Sequence, residues 1–212
     1  MKGYLQSLPV VGAVFQDIKP EEVWAFWRFM QDHFRTSVIN KSSALEMQLV
    51  ARALEALGIQ SKDRFLKNFT TTIGRRIYTP FEVGSPKGGW DLWHQVVICV
   101  HEHQHVVQHD REGLSYEVSY LADRAARARW EAEAYRSNLE LQFWRTGTTP
   151  SAQRTASALK DYGCRPEDIE VAAKSLALSA ISVKRGAVIN EATHVALGWL
   201  DEHVPRLRFK QG

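Results

Sequence analysis

The stretch Cys99–Gly113, CVHEHQHVVQHDREG, decides how the rest of the chain is read, because it sets three histidines at alternate positions. On a strand, side chains alternate between faces, and His101, His103 and His105 share one side. On a helix, residues four apart share a face, so His101 and His105 group while His103 turns away. Length separates the two. From Trp90 to His109 there is neither glycine nor proline, and such a run exceeds the usual strand while suiting a helix. The β-branched run VVICV at 96–100 pulls locally towards a strand, yet a helix apolar on every side is what a buried central element looks like. The spacing predicts a buried helix over 90–109.

Working outward, Gly113 ends that unit. A second long helical pattern, rich in Ala, Glu, Arg and Leu, runs from Ser115 to about Trp144, with room for a break near its start. GTTP at 147–150 interrupts it. The remainder reads as helices over about 151–162, 166–185 with Pro166 in the first turn, and 190–203 before Pro205.

Upstream, the segment from Phe69 to Gly84 is rich in Thr, Ile, Tyr, Phe and Val and predicts one or two short strands. Pro80 cannot donate to a ladder, which places RIYTPFEV (76–83) at a sheet edge or a bulge. A helix PEEVWAFWRFMQDHF starts at Pro20 and sets Val23, Trp27, Met30 and Phe34 at core-facing spacing. Another begins at Ser43, whose spacing to Glu46 is a capping box, and stops at Gly58. The predicted fold class is α+β and predominantly α-helical, with a small edge sheet. It forms one domain over 1–212, with its core at about 70–145 and helical flanks at 1–68 and 150–212.

Composition limits the function. The formal charge of +3 arises from 27 basic and 24 acidic residues dispersed along the chain, without the basic arm that nucleic-acid binding favours, so no nucleic-acid partner is expected. The seven tryptophans, Trp24, Trp27, Trp90, Trp93, Trp130, Trp144 and Trp199, read as core, not as a base-stacking platform. Two cysteines give no disulfide framework, and Cys99 reads as a small buried hydrophobe. The N-terminal MKGYLQSLPVVGAVFQDIK lacks the pattern of a cleaved signal and reads as mature protein, so a cytoplasmic or non-secreted location is expected. No apolar run is long enough to predict a membrane span.

Five of the eight histidines fall between 94 and 109. On a helix, His101 and His105 present two imidazoles to one ion while Glu102 flanks the same opening, the arrangement HExxH. A catalytic zinc site needs a third protein ligand and an open position. Metzincin-type sequences continue to a third histidine, but the matching positions here are Gln108 and Arg111. His109 lies roughly 12 Å along the axis from His101, too far to share an ion. A carboxylate from the next helix remains, and RARWEAEAYR supplies Glu131 and Glu133. These two point about 200° apart, so only one can face the metal.

HEHQHVVQ followed by EAEAY resembles the gluzincin metallopeptidases, and over about 78–144 the chain looks most like small bacterial or phage-associated zincins, with an active-site helix and a glutamate helix. In that family HExxH is completed by a glutamate from a downstream helix, often in the setting E-x-x-A-D. The resemblance implies His101, His105 and Glu131 as Zn2+ ligands, Ala134 at the small-residue position, and Tyr135 where the family carries an aspartate that orients a ligand histidine. It implies hydrolysis of a protein or peptide substrate, with zinc polarising the scissile carbonyl and Glu102 as general base. The strand RIYTPFEV is then the edge to which an extended substrate would add. Tyr78, Tyr116, Tyr120 and His194 are nominees for stabilising the oxyanion. The alternative, from another class, is a zinc-containing binding or assembly protein that cuts nothing.

Overall fold

The computed structural model describes residues 17–44, 47–48, 66–67 and 69–210. The N-terminal reading before residue 17 and most of the helix expected over 43–58 lie outside the described residues.

Helix α1 (Pro20–Phe34) opens with proline in its first turn, and the Glu22 carboxylate accepts the Lys19 amide at 2.8 Å. It buries Val23, Trp27, Met30 and Phe34, as its spacing predicts, and Phe26 as well. Trp24 is an exception to the expectation that every tryptophan is core. It is 52% exposed, with the Arg28 guanidinium over its ring, because it lies about 100° round from Val23 on the solvent side. Trp90 and Trp130 are also only half-buried.

Three short strands follow, β1 (Ser37–Asn40), β2 (Thr71–Ile73) and β3 (Arg76–Thr79), in the order β1-β3-β2. β3 pairs in parallel with β1 and antiparallel with β2, across a two-residue turn in which Gly74 takes φ 55°. The expectation for RIYTPFEV is therefore corrected: β3 is the central strand. Pro80 follows the last strand residue, Thr79, so its missing N–H costs the ladder nothing. The true edge beside the histidine helix is β2.

That helix, α2 (Leu92–Glu112), is capped by the Asp91 carboxylate, which accepts the His94 amide at 2.8 Å, and it ends at Gly113. Helix α3 (Leu114–Ala122) follows at once. A break at Asp123 separates it from α4 (Arg124–Thr146), and the Asp123 carboxylate caps the new helix by accepting the Ala125 amide at 2.8 Å. Gly147, left-handed at φ 69°, closes α4. Helices α5 (Ala152–Ser157), α6 (Pro166–Lys184) and α7 (Glu191–His203) complete the chain, and α5 passes into a 3-10 turn over Ala158–Tyr162.

The architecture is α+β and mostly helical. Two apolar clusters meet along α4. One joins Phe26 and Trp27 of α1, Val96 and Val100 of α2, Ile77 of β3, and Trp199 and Leu200 of α7, with Leu141 and Trp144 from the end of α4. The other joins Ala128, Ala132 and Leu139 of α4 to Ala172, Leu176 and Val183 of α6. Each fully buried aliphatic side chain in these clusters contributes about 1.5–3 kcal/mol. Both helical flanks thus supply core to α2, which is held from all sides.

Candidate metal centre

The helical reading of HEHQH places His101 and His105 on one face of α2, and α4 crosses beside them with Glu131. The nearest donor contacts are His101 Nε2 to Glu131 Oε2 at 3.4 Å and His105 Nε2 to Glu131 Oε1 at 3.6 Å. One ligand atom from each residue lies within 4.8 Å of the others, a group that could hold a metal ion. The two imidazoles meet nearly edge to face at 83°, with ring centres 4.9 Å apart. His101, Glu102, His105 and Glu131 are all buried, none more than 6% exposed.

The partners of the ring nitrogens favour one tautomer in each neutral ring. Gln108 donates its amide nitrogen to the Trp130 carbonyl at 2.9 Å, which turns its oxygen towards His105 Nδ1 at 2.8 Å. Nδ1 therefore carries the proton, with the Tyr116 hydroxyl also 3.0 Å away. His101 Nδ1 faces the Asn138 carbonyl oxygen at 3.4 Å in the same sense. Both Nε2 lone pairs then point at a buried carboxylate. Lone pair against anion is repulsive unless a proton or a cation lies between them, and Glu131 Oε2 has no hydrogen-bond partner within normal geometry among the described residues, with His101 Nε2 3.4 Å away. These residues fit a divalent cation: two imidazoles, one carboxylate, and outer partners on both rings.

Without an ion, the charges share protons. Burial depresses the His101 pKa, but the adjacent Glu131 carboxylate more than reverses this and leaves it above the ordinary value. Burial likewise raises Glu131, and the facing His105 and His101 outweigh that and hold it low. Tyr120 donates its hydroxyl to Glu131 Oε1; burial first, then the Glu131 charge, pushes its pKa well up, so it keeps its proton. Tyr116 is raised by the same causes.

Glu102 is adjacent, with Oε2 accepting the Thr72 hydroxyl of β2 at 2.7 Å. One position back on β2, Thr71 accepts from Lys41 Nζ at 2.7 Å. Lys41 is fully buried, and burial draws its pKa down to about 7 against the opposing pull of Glu102.

The other expected positions separate. Glu133 turns to the far side, where Arg111 grips both its oxygens at 3.1 and 3.0 Å and Gln104 donates at 2.9 Å. It lines a groove of about 820 Å³ between α4 and α6 that none of His101, His105 or Glu131 borders. Tyr135 lays its ring against His101 with centres 4.9 Å apart, and its hydroxyl bonds Tyr162. The side chain that meets His101 Nδ1 is instead Asn138, about one turn further along α4, at 3.4 Å. Of the oxyanion nominees, Tyr116 and Tyr120 stand at the centre, Tyr78 packs with Ala44 and Met47 beyond the sheet, and His194 is exposed on α7. His109 pairs with Glu117. Sequence reasoning missed Asn138, Gln108, Thr72 and Lys41; only Gln108, one turn past His105, carried a periodic signal.

No family model, no curated protein and no solved structure matches the chain.

Proposed function

We propose that the chain is a zinc-dependent peptidase of zincin type, with His101, His105 and Glu131 holding the ion and Glu102 as general base. The observation that carries this reading is the pair of Nε2 atoms converging, at 3.4 and 3.6 Å, on a buried carboxylate whose Oε2 has no hydrogen-bond partner among the described residues. A divalent cation held there supplies Lewis acidity, polarising a carbonyl and acidifying water.

The remaining chemistry belongs to the chain. Asn138 and Gln108 hold the two rings in the tautomer that leaves Nε2 free. Thr72 ties down one oxygen of Glu102, leaving Oε1 to take a proton from the attacking water and return it to the departing amine. Thr72 lies on β2, which among the described strands pairs only with β3, so an extended peptide added to that free edge runs past the base. The implied partner is a protein or peptide substrate.

Glu102→Gln is expected to keep stoichiometric zinc while hydrolysis of a peptide library falls by about two orders of magnitude or more. His105→Ala is expected to lose the metal, and Glu131→Gln to lose it where Glu133→Gln does not. Zinc lost from Glu102→Gln as well would overturn the assigned roles.

The burial of all four residues favours one second reading, a zinc that cross-links α2 and α4 in a binding or assembly protein. That reading gains if zinc is bound, no peptide is cut, and Glu102→Gln changes nothing.

A further inference from the structure

Helix α6 carries apolar residues on two faces. Ala172, Ala173, Leu176 and Val183 are buried against α4 and its neighbours. On the outer side Val171, Leu178 and Ile181 are 61%, 69% and 51% exposed. At 100° per residue, Glu167, Val171, Lys174, Leu178, Ile181 and Arg185 fall within an arc of roughly 80°, forming one solvent-facing stripe. A surface helix ordinarily shows polar residues on that side, and a contiguous apolar run there marks an interaction surface.

The charges say what covers it. The stripe is acidic at its start, Glu167, and basic at its end, the C-cap Arg185, with Val171, Leu178 and Ile181 and the single Lys174 between. We infer that a second copy of this chain docks on it, its α6 antiparallel to the first about a two-fold axis near residue 176. That register sets Val171 against Ile181 of the second copy, Lys174 against Leu178, and Glu167 against Arg185, each twice by symmetry. A parallel arrangement would oppose like charges at both ends.

The neighbouring groups are compatible. Lys174 is held by Glu170 of its own helix at 2.7 Å, which leaves its aliphatic stem lying along the stripe to cover a leucine. Among the described residues Glu167 pairs with Arg165 at 3.3 Å, and both side chains are about half exposed or more. Beyond Arg185, Val188 and Ile189 are also exposed, Ile189 on the rim of the groove between α4 and α6. The 19-residue helix offers about 28 Å of contact at 1.5 Å per residue.

Sedimentation equilibrium of the full chain from about 1 to 100 µM tests this, with circular dichroism checking that each variant keeps its helices. The wild type is expected to reach twice the chain mass. Glu167→Arg and Arg185→Glu are each expected to weaken association by about tenfold or more, the double variant to recover to within about threefold of wild type, and Leu178→Glu to be monomeric. A wild type that stays monomeric at about 100 µM overturns the proposal. So does a dimer that Leu178→Glu leaves intact, or one whose charge reversals neither weaken nor rescue it. Zinc content does not enter these readouts, so they stand apart from the fate of the peptidase reading.

Discussion

His103 lies between His101 and His105 in sequence and turns away from both in space. Its ring is fully buried, with Nδ1 bonded to the Cys99 carbonyl at 2.6 Å and Nε2 meeting the Thr36 hydroxyl at 3.0 Å. Burial, only partly opposed by that carbonyl, draws its pKa from the ordinary 6.5 to about 4. Between those values the unfolded chain binds a proton that the native chain does not, so stability falls as pH drops through that window. The loss from this residue should approach ~3 kcal/mol, and urea unfolding with a chelator present should show a flatter pH slope in His103→Gln. The partners of the two candidate ligand rings make a separate prediction. Asn138→Ala or Gln108→Leu should weaken zinc binding about 10- to 100-fold, read by competition with a chelator, while Tyr135→Phe should not. The sequence pointed to Tyr135 because the resemblance to gluzincins aligns it with an aspartate. It could not reveal Asn138, because which polar residue along one face of α4 reaches the ring depends on how far α4 slides past α2, and nothing local encodes that.

At the scale of elements, legibility followed the length of the signal. A twenty-residue stretch without glycine or proline outweighed the strand preference of VVICV, and α2 formed where expected because the cluster it shares with α1, β3 and α7 buries it. Glycine and proline at 113, 147 and 166 punctuated the helices correctly. β1 went unread, since SVIN is four residues with no alternation. β3 was misplaced because Pro80 constrains the ladder only if it lies within it, and the chain stops pairing one residue earlier. The break between α3 and α4 was audible only as a possibility. It is made real by Asp123, whose carboxylate caps α4, and by Arg127, which bonds the Tyr120 and Leu121 carbonyls at the end of α3. Asp123→Ala should cost about 1 kcal/mol in thermal or urea unfolding. Because Tyr120 on α3 and Glu131 on α4 meet across this break, the same variant should also loosen metal binding, whereas a cap lost far from the site, Ser151→Ala on α5, should leave metal affinity unchanged.

For the whole molecule, the placement of the candidate centre matters more than its ligand count. His101 and His105 belong to α2, which is buried in the cluster of α1, β3 and α7, while Glu131 lies in the half of α4 that packs on α6. An ion shared by these three residues would tie one cluster to the other at their junction. Binding to the native chain alone stabilises it by mass action, about 2.7 kcal/mol at a free zinc concentration one hundred times the dissociation constant. Thermal unfolding should therefore shift upward with zinc and return with chelator, and the shift should vanish in His105→Ala. The location of the effect is the sharper test. If the ion joins the clusters, hydrogen exchange should slow on zinc binding in both α2 and the first half of α4, and in α6 behind it, where no ligand resides. Protection confined to α2 would place the ion on the histidines alone and remove Glu131 from the set. Protection in neither helix, with zinc still bound, would put the ion elsewhere in the chain.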